Sequence, residues 1–202
     1  LNSSLLWDIK IDSEENINCV AGLNLFKYTP TGELAWEREL ILGGVKLKTD
    51  NKDDLYSYSP TLGLEKIDSS GNFLWRDSIS SLRLFDVAID DSFNVYLTGG
   101  KQNLPFNSDL FLQKLNSNGD SLWTVIYNLH PTINSTEEAY AIAVDKFNSV
   151  YVTGYADSSH ILDRVLTMKY SSTGSLDWKT TYGWDPVFQN CSGQKIIIDS
   201  LN

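Results

Sequence analysis

The chain has 202 residues, with 16 Lys and Arg against 26 Asp and Glu, a formal charge of −10, and a hydrophobic fraction of 42%. That balance belongs to a globular chain with a core and excludes a disordered one. Net acidity without a Lys/Arg cluster argues against a nucleic-acid partner, since phosphate binding works through grouped cations, and no apolar run approaches the roughly eighteen residues of a membrane span.

In chain order, residues 1–12 offer one strand, ending at Asp12. Its Ser3-Ser4-Leu5-Leu6-Trp7 run fits either the outermost strand of a repeat or an innermost one. Two alternating elements then recur. The first begins with Asp: DSEENIN at Asp12, DNKDDLY at Asp50, DDSFNVY at Asp90 and DKFNSVY at Asp145. The second begins with Lys: KYTPTGELAW at Lys27, KIDSSGNFLW at Lys66, KLNSNGDSLW at Lys114 and KYSSTGSLDW at Lys169, each with Gly five residues on and Trp nine residues on. Asp199, closing QKIIIDS, opens a further copy.

Each copy reads as four strands, a to d. An apolar run precedes the Asp, short polar residues turn the chain, and β-branched and aromatic residues follow as in NVYLTG and SVYVTG. The Lys segment is the third strand, the Gly sits in the next hairpin, and the Trp opens the fourth strand. No sustained helical period is present. A four-stranded sheet cannot bury both faces alone, so the copies must stack, and stacking of units of about 40 to 50 residues is the β-propeller. The expectation is an all-β propeller with about four blades in this chain. The repeats span approximately 5–42, 43–81, 82–137 and 138–193, with one strand of a further repeat at 194–202. The Trp residues should pack between adjacent blades, and the recurrent Lys should make a repeated ion pair or pack its stem. Because both termini fall within a repeat, the blades are expected to be part of a larger ring or of one completed by another polypeptide; a closed four-blade ring is the alternative.

The combination D-x-x-x-N-[VL]-Y-[VL]-T-G followed by K-[YIL]-x-x-x-G-x-x-x-W resembles the bacterial seven-bladed β-propeller (SBBP) repeat, most strongly over Asp90–Trp178. A more distant likeness is to the PQQ-type propeller repeat, from which this chain departs by carrying Lys in place of the usual Ala. The first resemblance implies a secreted or surface-attached bacterial protein, periplasmic as an alternative, whose repeats are scaffolding without a defined catalytic motif.

The repeats differ in one respect. Asp-to-Lys separations are 15, 16, 24 and 24 residues and Trp-to-Asp separations 14, 15, 22 and 21, while Lys-to-Trp is always 9. In a meander the lengthened b-to-c and d-to-a connections emerge at one end, so all the insertions lie on one rim, as loops over 101–109, 128–139, 156–163 and 183–193. Phe106, His130, Tyr155, His160, Trp184, Asp185 and Phe188 are the candidate ligand-binding residues there. They suit a protein or glycan partner. Two His without ligand spacing predict no metal, and no cofactor or catalytic set is expected; the alternatives are a lyase or quinone-dependent dehydrogenase using His130, His160 and Asp185, and a purely structural subunit of an assembly. Cys19 and Cys191 leave pairing open.

Overall fold

The computed structural model describes residues 6–78, 82–104, 107–129, 135–158, 163–183 and 191–199, the side chains of Leu104, Ser158 and Asp163 excepted. Among the described residues, sixteen strands form four antiparallel sheets, each a meander of four consecutive strands. No helix occurs among the described residues. The chain divides into two compact units, Leu1–Ser80 and Ser81–Asn202. The first holds β1 (Leu6–Ile11), β2 (Ile17–Ala21), β3 (Asn24–Tyr28) and β4 (Leu34–Glu39), then β5 (Lys46–Thr49), β6 (Leu55–Ser59), β7 (Gly63–Ile67) and β8 (Phe73–Asp77). The second holds β9 (Leu82–Ile89), β10 (Val95–Leu104), β11 (Asn107–Leu115) and β12 (Ser121–Tyr127), then β13 (Ser135–Val144), β14 (Val150–Ser158), β15 (Asp163–Tyr170) and β16 (Leu176–Tyr182). These are the propeller blades that the repeat predicts.

Every a–b and c–d hairpin closes the same way. The first turn residue donates its N–H to the carbonyl four residues on and accepts from the N–H three residues on, as at Asp12/Asn16/Glu15 and Asp68/Asn72/Gly71. The fourth position has positive φ, occupied by Glu15, Asp53, Phe93 and Asn148 in the a–b turns and by Gly32, Gly71, Gly119 and Gly174 in the c–d turns. A non-Gly residue there is strained. The leading Asp compensates through its side chain: Asp90 Oδ1 accepts from the N–H of Ser92 and Asn94, both at 2.9 Å, and Asp145 Oδ1 from Phe147 and Ser149 at 2.9 and 2.8 Å. The recurrent Tyr donates its hydroxyl to the other oxygen, Tyr56 to Asp50, Tyr96 to Asp90 and Tyr151 to Asp145, at 2.9 to 3.1 Å. The run 50–54, with its alternating oxygen side chains, is this turn.

The recurrent Lys reaches the same carboxylate or the same Tyr. Lys27 Nζ stands 2.8 Å from Asp12 Oδ2, and Lys66 Nζ 3.0 Å from Asp54 and 3.6 Å from Asp50. Lys114 and Lys169 lie over the rings of Tyr96 and Tyr151. Burial accounts for the need: Asp12, Lys27, Lys66, Asp90 and Lys114 are all under 9% exposed, and a buried charge must be paired.

Within each unit two sheets pack around an apolar core. In the first it comprises Val20, Leu25, Leu40, Leu47, Leu55 and Ile67 with Trp36 against them. In the second it includes Tyr96, Leu112, Ile142, Val152, Met168 and Tyr170, with Trp123 against them. Two of the four repeat indoles, Trp36 and Trp123, lie against the following sheet of their own unit as expected, while the described ring contacts of Trp75 and Trp178 are with Tyr56 and Tyr151 of their own sheets. A Cβ added to Gly71 would meet Trp36 at 3.0 Å, one added to Gly174 would meet Trp123 at 3.0 Å, and Trp123 Nε1 donates to Ser172 O at 3.2 Å. Gly71 and Gly174 are therefore the seats for the Trp of the sheet before them. A second interblade link joins innermost strands: Asp8 Oδ2 accepts from Leu47 N at 2.9 Å and Asp86 Oδ2 from Ile142 N at 3.2 Å.

Candidate functional site

Three of the lengthened segments, 101–109, 128–139 and 156–163, are not simply the loops the spacing suggested, and most of the fourth, 183–193, lies outside the described residues. Much of the added chain extends the ladder: Lys101 pairs with Asp109, Gln102 with Ser108 and Leu104 with Asn107, while β13 starts at Ser135, inside the segment read as a connection, and pairs Ser135 with Ser158. The boundary drawn at 137/138 consequently falls within β13. Extra residues that alternate in a hairpin satisfy their own amides by pairing, which a long surface loop cannot do.

Strands a and b of the third and fourth blades carry a bulge in their longer pairing. Thr98 pairs with Asp86 and Gly99 with Leu84, leaving Phe85 as the extra residue; Thr153 pairs with Ala141 and Gly154 with Ala139, leaving Tyr140. A bulge turns one side chain out of the ladder. Here the two bulged aromatics meet edge to face with centroids 5.2 Å apart. Trp7 is the corresponding residue of the first blade, since the register skips it between Leu6 and Asp8. That settles Trp7 on an innermost strand.

Around the Phe85–Tyr140 pair lies a polar knot centred on Glu138. Its Oε1 accepts from Ser108 Oγ at 2.8 Å and faces Arg83 Nη1 at 3.1 Å, and its Oε2 accepts from Tyr140 OH at 3.1 Å. A Cβ on Gly100 would stand 2.8 Å from Glu138 Oε1, so a larger residue there would displace this carboxylate from its present position. Arg83 is half exposed and lies over the Phe85 ring at 5.0 Å. The guanidinium is thus held at its base by Glu138 and stacked on an aromatic, with donors still facing water, an arrangement suited to a carboxylate or a carbonyl of a partner.

Beside the knot is a second buried acid. Glu137 is fully buried, and among the described residues neither carboxylate oxygen has a well-aligned hydrogen-bond partner. Burial raises its pKa to about 7, Asp109 and Asp157 add repulsion, and the Ser135 hydroxyl and Leu129 N–H oppose the rise without bonding in good alignment. Asp109 itself accepts from Asn128 Nδ2 at 2.8 Å. Among the described residues no group of three His, Cys, Asp or Glu side chains stands in a metal-holding arrangement.

Of the residues singled out in the sequence, Tyr155 lies on β14 opposite Glu138 and Val165, half-buried, at the edge of this knot. Phe106, His130, His160, Trp184, Asp185 and Phe188 lie outside the described residues. Sequence reasoning missed Arg83, Phe85, Glu137, Glu138 and Tyr140. One signal was available: an aromatic stands five residues before the turn Asp in three copies, as Trp7, Phe85 and Tyr140. The buried carboxylates carry no such mark, because Thr136-Glu137-Glu138 reads as a polar loop.

No family model matches the chain, and no curated protein matches it. Solved structures do. The chain superposes on a protein of unknown function from Bacteroides caccae with a TM-score of 0.58 at 11% identity, covering 96% of this chain and 72% of that one. It superposes on BamB from Moraxella catarrhalis with a TM-score of 0.55 at 11% identity, covering 89% of this chain and 62% of that one. These likenesses show a β-propeller fold.

Proposed function

We propose that the chain is a non-catalytic binding or scaffolding module of the bacterial cell envelope or surface, which takes a protein or glycan partner on the enlarged rim of its third and fourth repeats. One observation carries the reading: much of the added length described in those two repeats goes into paired strand, beside a stacked, half-exposed Arg83 over a buried carboxylate. Preorganised cations and aromatics on rigid strands lose little entropy on binding. The SBBP-like repeat supports the compartment. Glu138 supports a recognition role, since its oxygens are committed to Ser108, Arg83 and Tyr140 and not offered to a reacting group.

The test is crosslinking capture from envelope fractions, with a glycan array alongside, comparing the full chain with an Arg83→Ala, Tyr155→Ala variant and with a Phe106→Ala, Trp184→Ala, Phe188→Ala variant. Capture should fall in both while circular dichroism and thermal midpoint hold. Capture unchanged in both variants overturns the reading.

A further inference from the structure

The rim ends of the third and fourth sheets hold more acid than base. Asp109, Glu137, Glu138 and Asp157 are all under 9% exposed. Among the described side chains three cations answer them. Arg83 Nη1 bonds Glu138 at 3.1 Å, Lys101 stands opposite Asp109 in the β10–β11 ladder, and Arg164 stands opposite Ala156, whose other neighbour is Glu137. Glu137 is the acid in surplus. Among the described residues neither of its oxygens has a well-aligned partner, the buried Ser135 hydroxyl has none either, and the charges acting on Glu137, those of Asp109 and Asp157, both repel. A carboxyl so placed is held as the neutral acid up to about pH 7.

Arg83 is bonded to the residue next in sequence to Glu137 and faces water. Its side chain is 51% exposed, Nη1 is the nitrogen tied to Glu138, and the ring of Phe85 lies 5.0 Å from the guanidinium carbon. A guanidinium fixed at one nitrogen and stacked on a ring presents the rest of its fork ready-made to a carboxylate. Phe85 and Tyr140 meet edge to face, and Arg83 lies over Phe85, so these rings are engaged with one another and with the guanidinium instead of being laid open to a sugar ring. That favours an acidic polypeptide segment over an acidic glycan. A carboxylate settling on Arg83 adds negative charge beside a cluster already in surplus, and neutralising Glu137 removes the surplus without breaking any bond described above. By reciprocity, a ligand that raises the proton affinity of Glu137 binds more tightly when the proton is there.

We propose that Arg83 seats a carboxylate of an acidic polypeptide segment and that its binding draws a proton from solvent onto Glu137, so that capture tightens as the medium turns from mildly alkaline to mildly acidic. The proposal rests on the rim reading above and adds to it the chemistry of the partner and its regulation. Partner carboxylates, which titrate at about 4, stay ionised over this range, and Arg83 and Lys101 stay charged. His130 and His160 titrate within it, so the test isolates Glu137 by substitution.

The probes are capped tetrapeptides containing Glu, each beside its Gln counterpart, with oligogalacturonate as the sugar arm, titrated into the full chain by NMR at about pH 6 and about pH 8.5, on either side of the histidine range. The Glu peptides should bind at least about fivefold more tightly at the lower pH. Their Gln counterparts and oligogalacturonate should bind at least about tenfold more weakly. Calorimetry in buffers of different ionisation enthalpy should show proton uptake. Arg83→Lys, which keeps the charge and loses the fork, should weaken the Glu peptides at both pH values. Glu137→Gln should bind them at both with the affinity of the lower pH and take up no proton. No binding of the Glu peptides, equal affinity at the two pH values, a pH dependence that survives Glu137→Gln, or oligogalacturonate bound as tightly as the peptides each overturns the proposal. Envelope capture that falls with Arg83→Ala yet ignores pH overturns this proposal alone, whereas capture unchanged in both variants of the preceding test overturns the rim reading beneath it.

Discussion

The indole of Trp36 covers Gly71 so closely that a Cβ there would stand 3.0 Å from Trp36 Cδ2, while Arg38 Nη1 donates to the Gly71 carbonyl at 2.9 Å. A residue with no side chain is needed twice over, once for its φ of +88 and once for the ring lying on it.

Gly71 and Gly32 separate those two needs, because they share a turn geometry and only Gly71 carries an indole. Gly32→Ala should cost about 1 to 2 kcal/mol from backbone strain alone, and Gly71→Ala about 2 to 4 kcal/mol from strain plus displacement of Trp36. Urea denaturation of the two variants checks this. Equal losses would contradict the seating of the indole.

Asp12 holds together a turn and a buried Lys. Burial pushes its pKa up, but the Lys27 ammonium and the side chain and N–H of Asn16 more than offset this and leave it below the usual 3.8. With a lowered folded-state pKa, its contribution is present above about pH 3.8 and is lost as pH falls through the lower folded value. Asp12→Asn should cost about 3 kcal/mol at neutral pH by leaving Lys27 buried without its charge partner. The deficit should shrink in urea titrations carried toward acid, and a constant deficit would argue against ionic support.

Glu137 runs the opposite way. Its pKa rises from 4.5 to about 7 on folding, so the native chain holds a proton there that the unfolded chain releases, and the cost of its burial grows as pH climbs through that window. Glu137→Gln should change stability little near pH 4.5 and stabilise the chain by about 1 to 3 kcal/mol at about pH 8. Denaturation curves at the two pH values measure it, and a variant less stable at the higher pH would show an unseen partner for the carboxylate.

The propeller architecture was legible because its signals are stereochemical and repeated. A turn Asp whose two oxygens serve two amides and a Tyr hydroxyl leaves the spacing D-x-x-x-x-x-Y, and a c–d turn that needs positive φ leaves a Gly four residues before the Trp in every copy. The rim was legible only as extra length. Whether added residues form loop or ladder depends on cross-strand register, such as Lys101 opposite Asp109 and Ser135 opposite Ser158, which one strand's sequence does not show. Glu137 and Glu138 were invisible for a related reason: adjacent acids in a polar stretch look solvated until the neighbouring blade supplies Ser108, Arg83 and Gly100 around them.

The hairpin of β10 and β11 shows how such a blade can grow. Each added rung, such as Lys101 opposite Asp109, brings its own pair of partners, and doubling the connecting span adds only about 0.6 kcal/mol of closure entropy. The opposite end, where every reversal is fastened by its leading residue, admits no such addition without breaking a fastening. Novelty in this lineage should accumulate at one pole of the molecule, in increments of two residues, while the other pole keeps its spelling.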